Sequence, residues 1–391
     1  MATNSVNFCE NLVPDGISSA VPAVPSPFSL VVRVVRAMEW VFGAASLIVC
    51  LSIVATIPVA QLLSLGYLLE VGGRVARAGR LRSGFIGIRK AARLGGIALG
   101  VVILMTPLRI ASSLRTSAHL IDPASVAARR WDFSLAVLSL LVALQITAGA
   151  LRGARLRHLL WPCPIQSVRL VLAPGAYGRA RDGVWNFSLG LRLEKYFWLG
   201  LRGFVGAVAW LVLPVTMLAM ASRLRPGVGT IVGLLGGGAL SLVLLHLPFL
   251  QARFAMQNRL AAMFELRALR QQFARAPIAF FIALLFTLVS ALPLYLLKIE
   301  IVPREAAWLP SLLFVVSIFP ARLCTGWALS RSAKRNVPRL WIVRWASRLA
   351  MLLLSVAYVL LVYFTQYLSW YGVWSLYEQH AFLVPAPFLG L

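Results

Sequence analysis

The sequence predicts an all-α protein, an integral membrane helical bundle of about eight transmembrane helices. Three observations carry that expectation: the composition, the length of the apolar runs, and the distribution of basic residues between them. Of the 391 residues, 60% are hydrophobic and only 13% charged, and the mean hydropathy is +0.83. Soluble domains carry about 25% charged residues, and surface-to-volume scaling leaves no way to hide this much apolar surface inside a water-soluble fold. Lipid is the solvent that fits.

A span needs about 20 apolar residues. Read with that ruler, the first half gives spans at 40–69, 94–114, 133–151 and 197–222, and the second at 228–250, 278–297, 308–328 and 349–371. The first is long and contains Pro58, which implies a kink. The second is interrupted near one end by Arg109. Residues 1–27, with four prolines and no basic residue before Arg33, read as a loosely attached tail and not as a secretory signal.

The basic residues test the count. With the N-terminus outside, the inner segments 70–93, 152–202, 251–277 and 322–348 hold 28 of the 38 Lys and Arg. Every inner stretch is richer than every outer one, as short cytoplasmic loops require. Both termini are then expected on the outer side of the membrane. Trp40, Trp131, Trp308, Trp370 and Trp374 fall at outer span ends, and Trp198, Trp327 and Trp345 at inner ones, the depth that suits an indole ring with a wet N–H. The net charge of +26 is therefore read as orientation and inner-leaflet contact. Nucleic acid is not expected, because no zinc-finger, RRM or KH signature accompanies the charge.

Two inner stretches mix arginine with apolar residues. Residues 152–196 suggest segments lying on the inner leaflet. In 251–275, Ala255, Ala262, Leu266, Leu269 and Phe273 share one helical face, with Arg253, Gln257, Arg267, Gln271 and Arg275 opposite. Arg253, Arg259, Arg267, Arg270 and Arg275 are thus candidate contacts for anionic phospholipids on the cytoplasmic face.

A shift of 179 residues brings Arg74, Ala76, Arg80, Leu81 and Phe85 onto Arg253, Ala255, Arg259, Leu260 and Phe264, and Arg152 and Ala154 onto Arg331 and Ala333. This suggests a parallel four-plus-four repeat, a pattern found in transporters among other proteins. The expected organisation is a tail and lead-in at 1–37, a first four-helix half at 38–222, a second at 223–371 and a C-terminal tail at 372–391. The stretch from Arg253-Phe-Ala through Arg259-Leu-Ala-Ala-Met-Phe264, followed by Ala276-Pro277 and a span, resembles an uncharacterised family of bacterial polytopic membrane proteins, a domain of unknown function. The resemblance covers about 50 residues. It implies a bacterial membrane home and supplies no activity.

Chemistry is harder to find. All twelve acidic residues are expected in tails, loops or span ends, which argues against proton coupling through a buried carboxylate. Arg109, Arg202, His246 and Arg322 approach the core but lie near span ends, where snorkelling or a structural hydrogen bond accounts for them. There is no HExxH, GxSxG or Walker A sequence, and the four histidines lack metal spacing. No catalytic, cofactor-binding or metal-binding residue is expected. The four cysteines, Cys9, Cys50, Cys163 and Cys324, are read as unpaired. Gly229, Gly233, Gly237 and Ser241 recur every four residues and make a helix-packing stripe, used within the monomer or in a homo-oligomer. The functional expectation is a membrane scaffold or accessory protein working through lipid and protein contacts. The alternative is an uncoupled or lipid-type transporter, with an enzyme third. A hydrated cavity lined by Gln145, Thr147, Thr216 or Thr287 would favour transport; a closed bundle would favour the scaffold.

Overall fold

In hydrocarbon, backbone N–H and C=O groups find no water, so apolar runs of this length pair them internally as helices. The computed structural model of the chain describes residues 27–151, 159, 169, 173, 175–296, 308–369 and 372–377. Its helices are α1 (Pro27–Thr56), α2 (Gln61–Ala78), α3 (Ile88–Ile121), α4 (Val126–Leu151), α5 (Ala176–Leu191) and α6 (Leu193–Ala221). They continue with α7 (Pro226–Gln257), α8 (Leu266–Arg275), α9 (Pro277–Leu296), α10 (Trp308–Ala333) and α11 (Trp341–Leu368). The chain divides into two units, Met1–Glu39 and Trp40–Leu391, and the helical bundle belongs to the second.

Among the described residues, eight helical segments are long and apolar enough to cross a membrane, one for each expected span. The chain is an all-α, multi-pass membrane bundle. Pro107, Pro214, Pro248, Pro293 and Pro320 sit inside α3, α6, α7, α9 and α10, as membrane helices tolerate where neighbours re-satisfy the freed carbonyls. Arg109 does not interrupt α3, which runs unbroken for 34 residues with Arg109 on its exposed side.

The first expected span is corrected. Residues 40–69 are not one kinked helix but parts of two antiparallel ones. Ser64 Oγ donates to the Leu51 carbonyl at 2.8 Å, and Leu47, Leu51, Tyr67 and Leu68 share one buried cluster. In a continuous helix Leu47 and Tyr67 would stand about 30 Å apart, at 1.5 Å per residue. The reversal occupies Ile57–Ala60. Pro58 has no N–H to continue the helix, and Val59 takes a left-handed conformation (φ 67°) to turn the chain. Helix α2 is therefore a ninth element, about 27 Å long and close to the hydrocarbon thickness. Three charged residues, Glu70, Arg74 and Arg77, keep it from reading as a separate apolar span.

Helix α2 is the centre of the bundle. Residues Ser64 to Gly73 are all buried, and α2 packs on α6, α7 and α10. Different glycines admit the different neighbours. A Cβ at Gly66 would collide with the Tyr196 carbonyl of α6, and one at Gly200 with the Leu62 carbonyl of α2. Gly326 of α10 meets the Gly72 carbonyl, and Gly73 meets Ala255 of α7, with 2.7 Å from the missing Cβ to the Ala255 carbonyl carbon. Backbones approach this closely only where side chains are absent.

Residues related by the 179-residue shift take the same local backbone at two corners. Helix α2 ends at Gly79 (φ 68°, ψ 14°), followed by extended Arg80 and a 3-10 turn at Leu81–Gly84. Helix α7 ends at Asn258 (φ 54°, ψ 33°), followed by extended Arg259 and a 3-10 turn at Leu260–Met263. In each case the next residue, Phe85 or Phe264, packs against a tryptophan of the preceding helix: Trp40 at 4.9 Å and Trp210 at 5.8 Å between ring centroids. The antiparallel pairs α1–α2 and α6–α7 therefore correspond. The matches proposed at Arg152 and Ala154 lie outside the described residues, as do the tail 1–26 and most of 152–174.

Two experiments test this arrangement. In a cysteine-free background, Val59→Cys and Ser83→Cys are expected to react with an impermeant thiol reagent from opposite sides of the membrane. A Val59→Cys site that stays unreactive until the membrane is dissolved would restore a single first span. Gly200→Leu is expected to abolish cooperative thermal unfolding in detergent or lower stability by more than the usual ~1–3 kcal/mol of core overpacking. Gly238→Leu, with open space beside it, is expected to melt like the wild type.

Candidate functional site

Helix α2 carries a carboxylate into the protein interior. Glu70 is 3% exposed, at the middle of the helix, so the expectation that acidic residues fall only in tails, loops and span ends is corrected. The apolar run hides it in the sequence: Glu70 follows Leu69 directly and reads as the first residue past a span. Three cations neutralise it. Arg77 Nη2 lies 2.8 Å from Glu70 Oε1, Lys195 Nζ from α6 lies 3.2 Å away, and Arg74 Nε lies 3.7 Å away. Arg77 also donates to the carbonyls of Ala255 and Met256 at 2.9 and 2.8 Å. It thus caps the last turn of α7, where unpaired carbonyls and the helix dipole favour a cation.

Beside this cluster lies a half-open cavity of about 560 Å³ between α1, α2, the start of α3 and the α5–α6 junction. That volume falls within the ~300–1,000 Å³ of small-molecule sites. Its two ends differ in chemistry. Arg74, Lys90, Arg192 and Lys195 line one end, while Leu47, Cys50, Leu51, Val54 and Leu63 line the other. Leu63 and Arg74 are about 16 Å apart along α2 at 1.5 Å per residue. Tyr67 forms part of the wall, its ring edge-on to Tyr196 at 5.6 Å and its hydroxyl bonded to both the carbonyl and the N–H of Ile86. Lys90 is held at the mouth by donating to the Gly190 carbonyl near the end of α5. Arg192 links α5 to α6 in a left-handed conformation (φ 53°), uncommon for a residue with a Cβ.

The glycine stripe packs within the monomer. A Cβ at Gly229 would lie 2.5 Å from the Ala221 carbonyl, and one at Gly233 would lie 3.3 Å from Ala221 Cβ, both on α6. Gly237 is looser, and Ser241 is buried with its hydroxyl on the Gly237 carbonyl. Gly236, which the four-residue spacing passes over, is also close to α6: its Cβ would meet Met217 at 2.9 Å and the Leu218 nitrogen at 3.0 Å.

The five arginines expected at the inner leaflet separate. Arg253 is corrected: it is 4% exposed and pairs with Glu265 at 2.5 Å, so its guanidinium faces protein. Arg259 reaches the same carboxylate at 3.1 Å and is exposed. The expected amphipathic face is divided by the corner at Asn258. Leu269 and Phe273 of α8 are buried, while Arg267 and Arg270 are exposed and Arg275 is half-exposed.

Arg322 is 3% exposed and donates to Gln251 at 2.6 Å, and His246 bonds the Leu242 carbonyl at 2.7 Å. Arg109 and Arg202 are exposed. Gln145, Thr147, Thr216 and Thr287 do not line the cavity. Gln145 donates to the Leu159 carbonyl, and the three threonine hydroxyls bond carbonyls of their own helices. Cys50 and Cys324 are free thiols; Cys9 and Cys163 lie outside the described residues.

Fold and site together define a multi-pass helical membrane protein. Comparison of the chain with protein families, curated proteins and solved structures finds no match, so the resemblance of residues 250–300 to a bacterial membrane family gains no support.

Glu70→Leu is expected to destabilise the protein by about 1–3 kcal/mol, the usual cost of losing charged hydrogen bonds, because Arg77 and Lys195 lose their shared acceptor. The half-exposure of both cations keeps the loss below that of a fully buried pair. Glu70→Gln, which retains an acceptor, is expected to lose less. Thermal melting in detergent checks both, and a Glu70→Leu protein as stable as wild type would show that the cluster contributes nothing to stability.

Proposed function

We propose that this protein is a membrane accessory or scaffold protein of a bacterial cytoplasmic membrane, working through lipid and protein contacts and not by passing a solute through its centre. The observation that carries this reading is the position of α2. It fills the axis of the bundle, touching three neighbours backbone to backbone through Gly66, Gly72 and Gly73. Polar groups near the centre are spent on one another, with Glu70 on three cations and Arg322 on Gln251. Intramembrane charges usually mark pathways; here their partners account for them.

In this reading the basic corners after α2 and α7 face the cytoplasm, following the positive-inside rule. The extra traverse made by α2 then puts the two ends of the chain on opposite sides of the membrane. The second reading, a lipid-type transporter, draws on one observation: a half-open cavity lies beside α2, between α1, the start of α3 and the α5–α6 junction.

Reconstitution separates the two. Proteoliposomes are expected to swell in salts, sugars and amino acids no faster than empty vesicles, and to leave a fluorescent phospholipid analogue on its original leaflet. Protein-dependent swelling would sink the proposal. Protein-dependent lipid movement abolished by Lys195→Gln would replace it with the transporter.

A further inference from the structure

We infer that the cavity between α1, α2, α3 and the α5–α6 junction is a binding site for one anionic phospholipid, entering from the inner leaflet. Three features point there. The first is charge. Four cations, Arg74, Lys90, Arg192 and Lys195, line one end of the cavity; Lys195 and Arg74 lie against Glu70, a carboxylate that Arg77 also engages. Lys90 is held by a neutral carbonyl and so leaves its charge uncompensated. A phosphate supplies the missing negative charge and several acceptor oxygens, which suit arginine and lysine donors together.

The second feature is shape. The basic end lies at the helix termini, with Lys90 in the first turn of α3 and Arg192 and Lys195 at the start of α6. The apolar end reaches the α1–α2 reversal, so a headgroup at the interface directs its acyl chain along α2 toward Leu63 and Val54. The half-open side leaves a second chain in the surrounding lipid. A soluble phosphate would use the cations and leave the apolar wall unexplained; a neutral lipid would leave the cations unexplained.

The third feature is backbone strain at the site. Arg192 holds a left-handed conformation at the helix junction, an arrangement that persists where the surrounding structure over-determines it. It turns the chain between α5 and α6 at the cavity's basic end. Glu70, behind the wall, is a positioning residue that holds Lys195 and Arg74.

The inference goes beyond the accessory reading and stands without it, since it concerns binding and not flux. The test uses the full chain in mild detergent, with phosphatidylglycerol and phosphatidylcholine of identical chains as probes, read by thermal shift and by native mass spectrometry. One phosphatidylglycerol is expected to stay bound and raise the melting temperature; phosphatidylcholine is expected to do neither. Lys90→Gln with Lys195→Gln is expected to weaken phosphatidylglycerol binding about 25-fold, about five-fold for each cation. Leu63→Trp, which fills the apolar end and keeps every cation, is expected to lose the bound lipid as well. Arg267→Gln, Arg270→Gln and Arg275→Gln together, on the separate helix α8, are expected to retain it.

Equal binding of the two lipids overturns the proposal, as does unchanged phosphatidylglycerol affinity in the folded Leu63→Trp protein. Inorganic phosphate that protects as well as phosphatidylglycerol would make the ligand a soluble anion and overturn the lipid assignment. Should the double lysine variant fail to fold, the comparison of lipids on the native chain and the Leu63→Trp variant still decide.

Discussion

A helix carrying Glu70, Arg74 and Arg77 stands at the centre of an apolar bundle, and the remaining architecture follows from the need to keep those charges paired. An isolated charge in such a medium is costly, while a paired and hydrogen-bonded one is tolerated. Arg77 answers this twice, on Glu70 and on the carbonyls that end α7, so one side chain ties the first half of the chain to the second. Lys195 ties α6 to the same carboxylate. Around them Gly66, Gly72, Gly73, Gly200 and Gly326 remove the side chains that would hold the helices apart. Close backbone approach and charge pairing are therefore one design: the electrostatic contacts are short because the glycines let the helices meet.

The two matching corners show how one local structure serves two purposes. After α7 the corner is filled: Trp210 stacks on Phe264 and donates to the Met263 carbonyl, and Met263 packs where Gly206 leaves room. After α2 the corresponding turn passes beneath Tyr67 and leads into α3, leaving the cavity open beside it. The difference lies in what surrounds the turn. The second half follows its corner with the short amphipathic α8, whereas the first half goes straight into the 34-residue α3 and receives the α5–α6 junction at its side.

Much of this is legible from residues alone. Apolar runs of span length mark eight helical segments long enough to cross a membrane, and Arg80-Leu81 against Arg259-Leu260 marks two corners of the same local geometry, because such corners are built from backbone preferences that nearby residues specify. Of the stripe at Gly229, Gly233, Gly237 and Ser241, the first two lie against Ala221 of α6, while the tighter contacts at Gly66 with Gly200 and at Gly72 with Gly326 escape sequence reasoning. Those pairs are 134 and 254 residues apart in sequence, and no spacing rule connects them. Helical periodicity places Arg253 opposite the apolar face and so at the lipid; the corner at Asn258 breaks that periodicity and brings Glu265 back to it.

By itself the sequence determined the solvent, the helical class and the eight most apolar helices, because these depend on composition and on runs of about 20 residues. Only the tertiary structure decided that the chain reverses at Pro58. Apolar residues lie on both sides of the turn, so hydropathy cannot distinguish a long tilted helix from a hairpin, and the difference appears only when Ser64 bonds Leu51 and Tyr67 joins Leu47 in one buried cluster. That reversal put Glu70 at the centre of a helix, turned α2 into the core of the bundle, and set Arg74 and Lys195 beside one carboxylate at the edge of a cavity. The cavity's cations come from α2, α3 and the α5–α6 junction, elements far apart in the chain, and nothing shorter than the packed bundle brings them together.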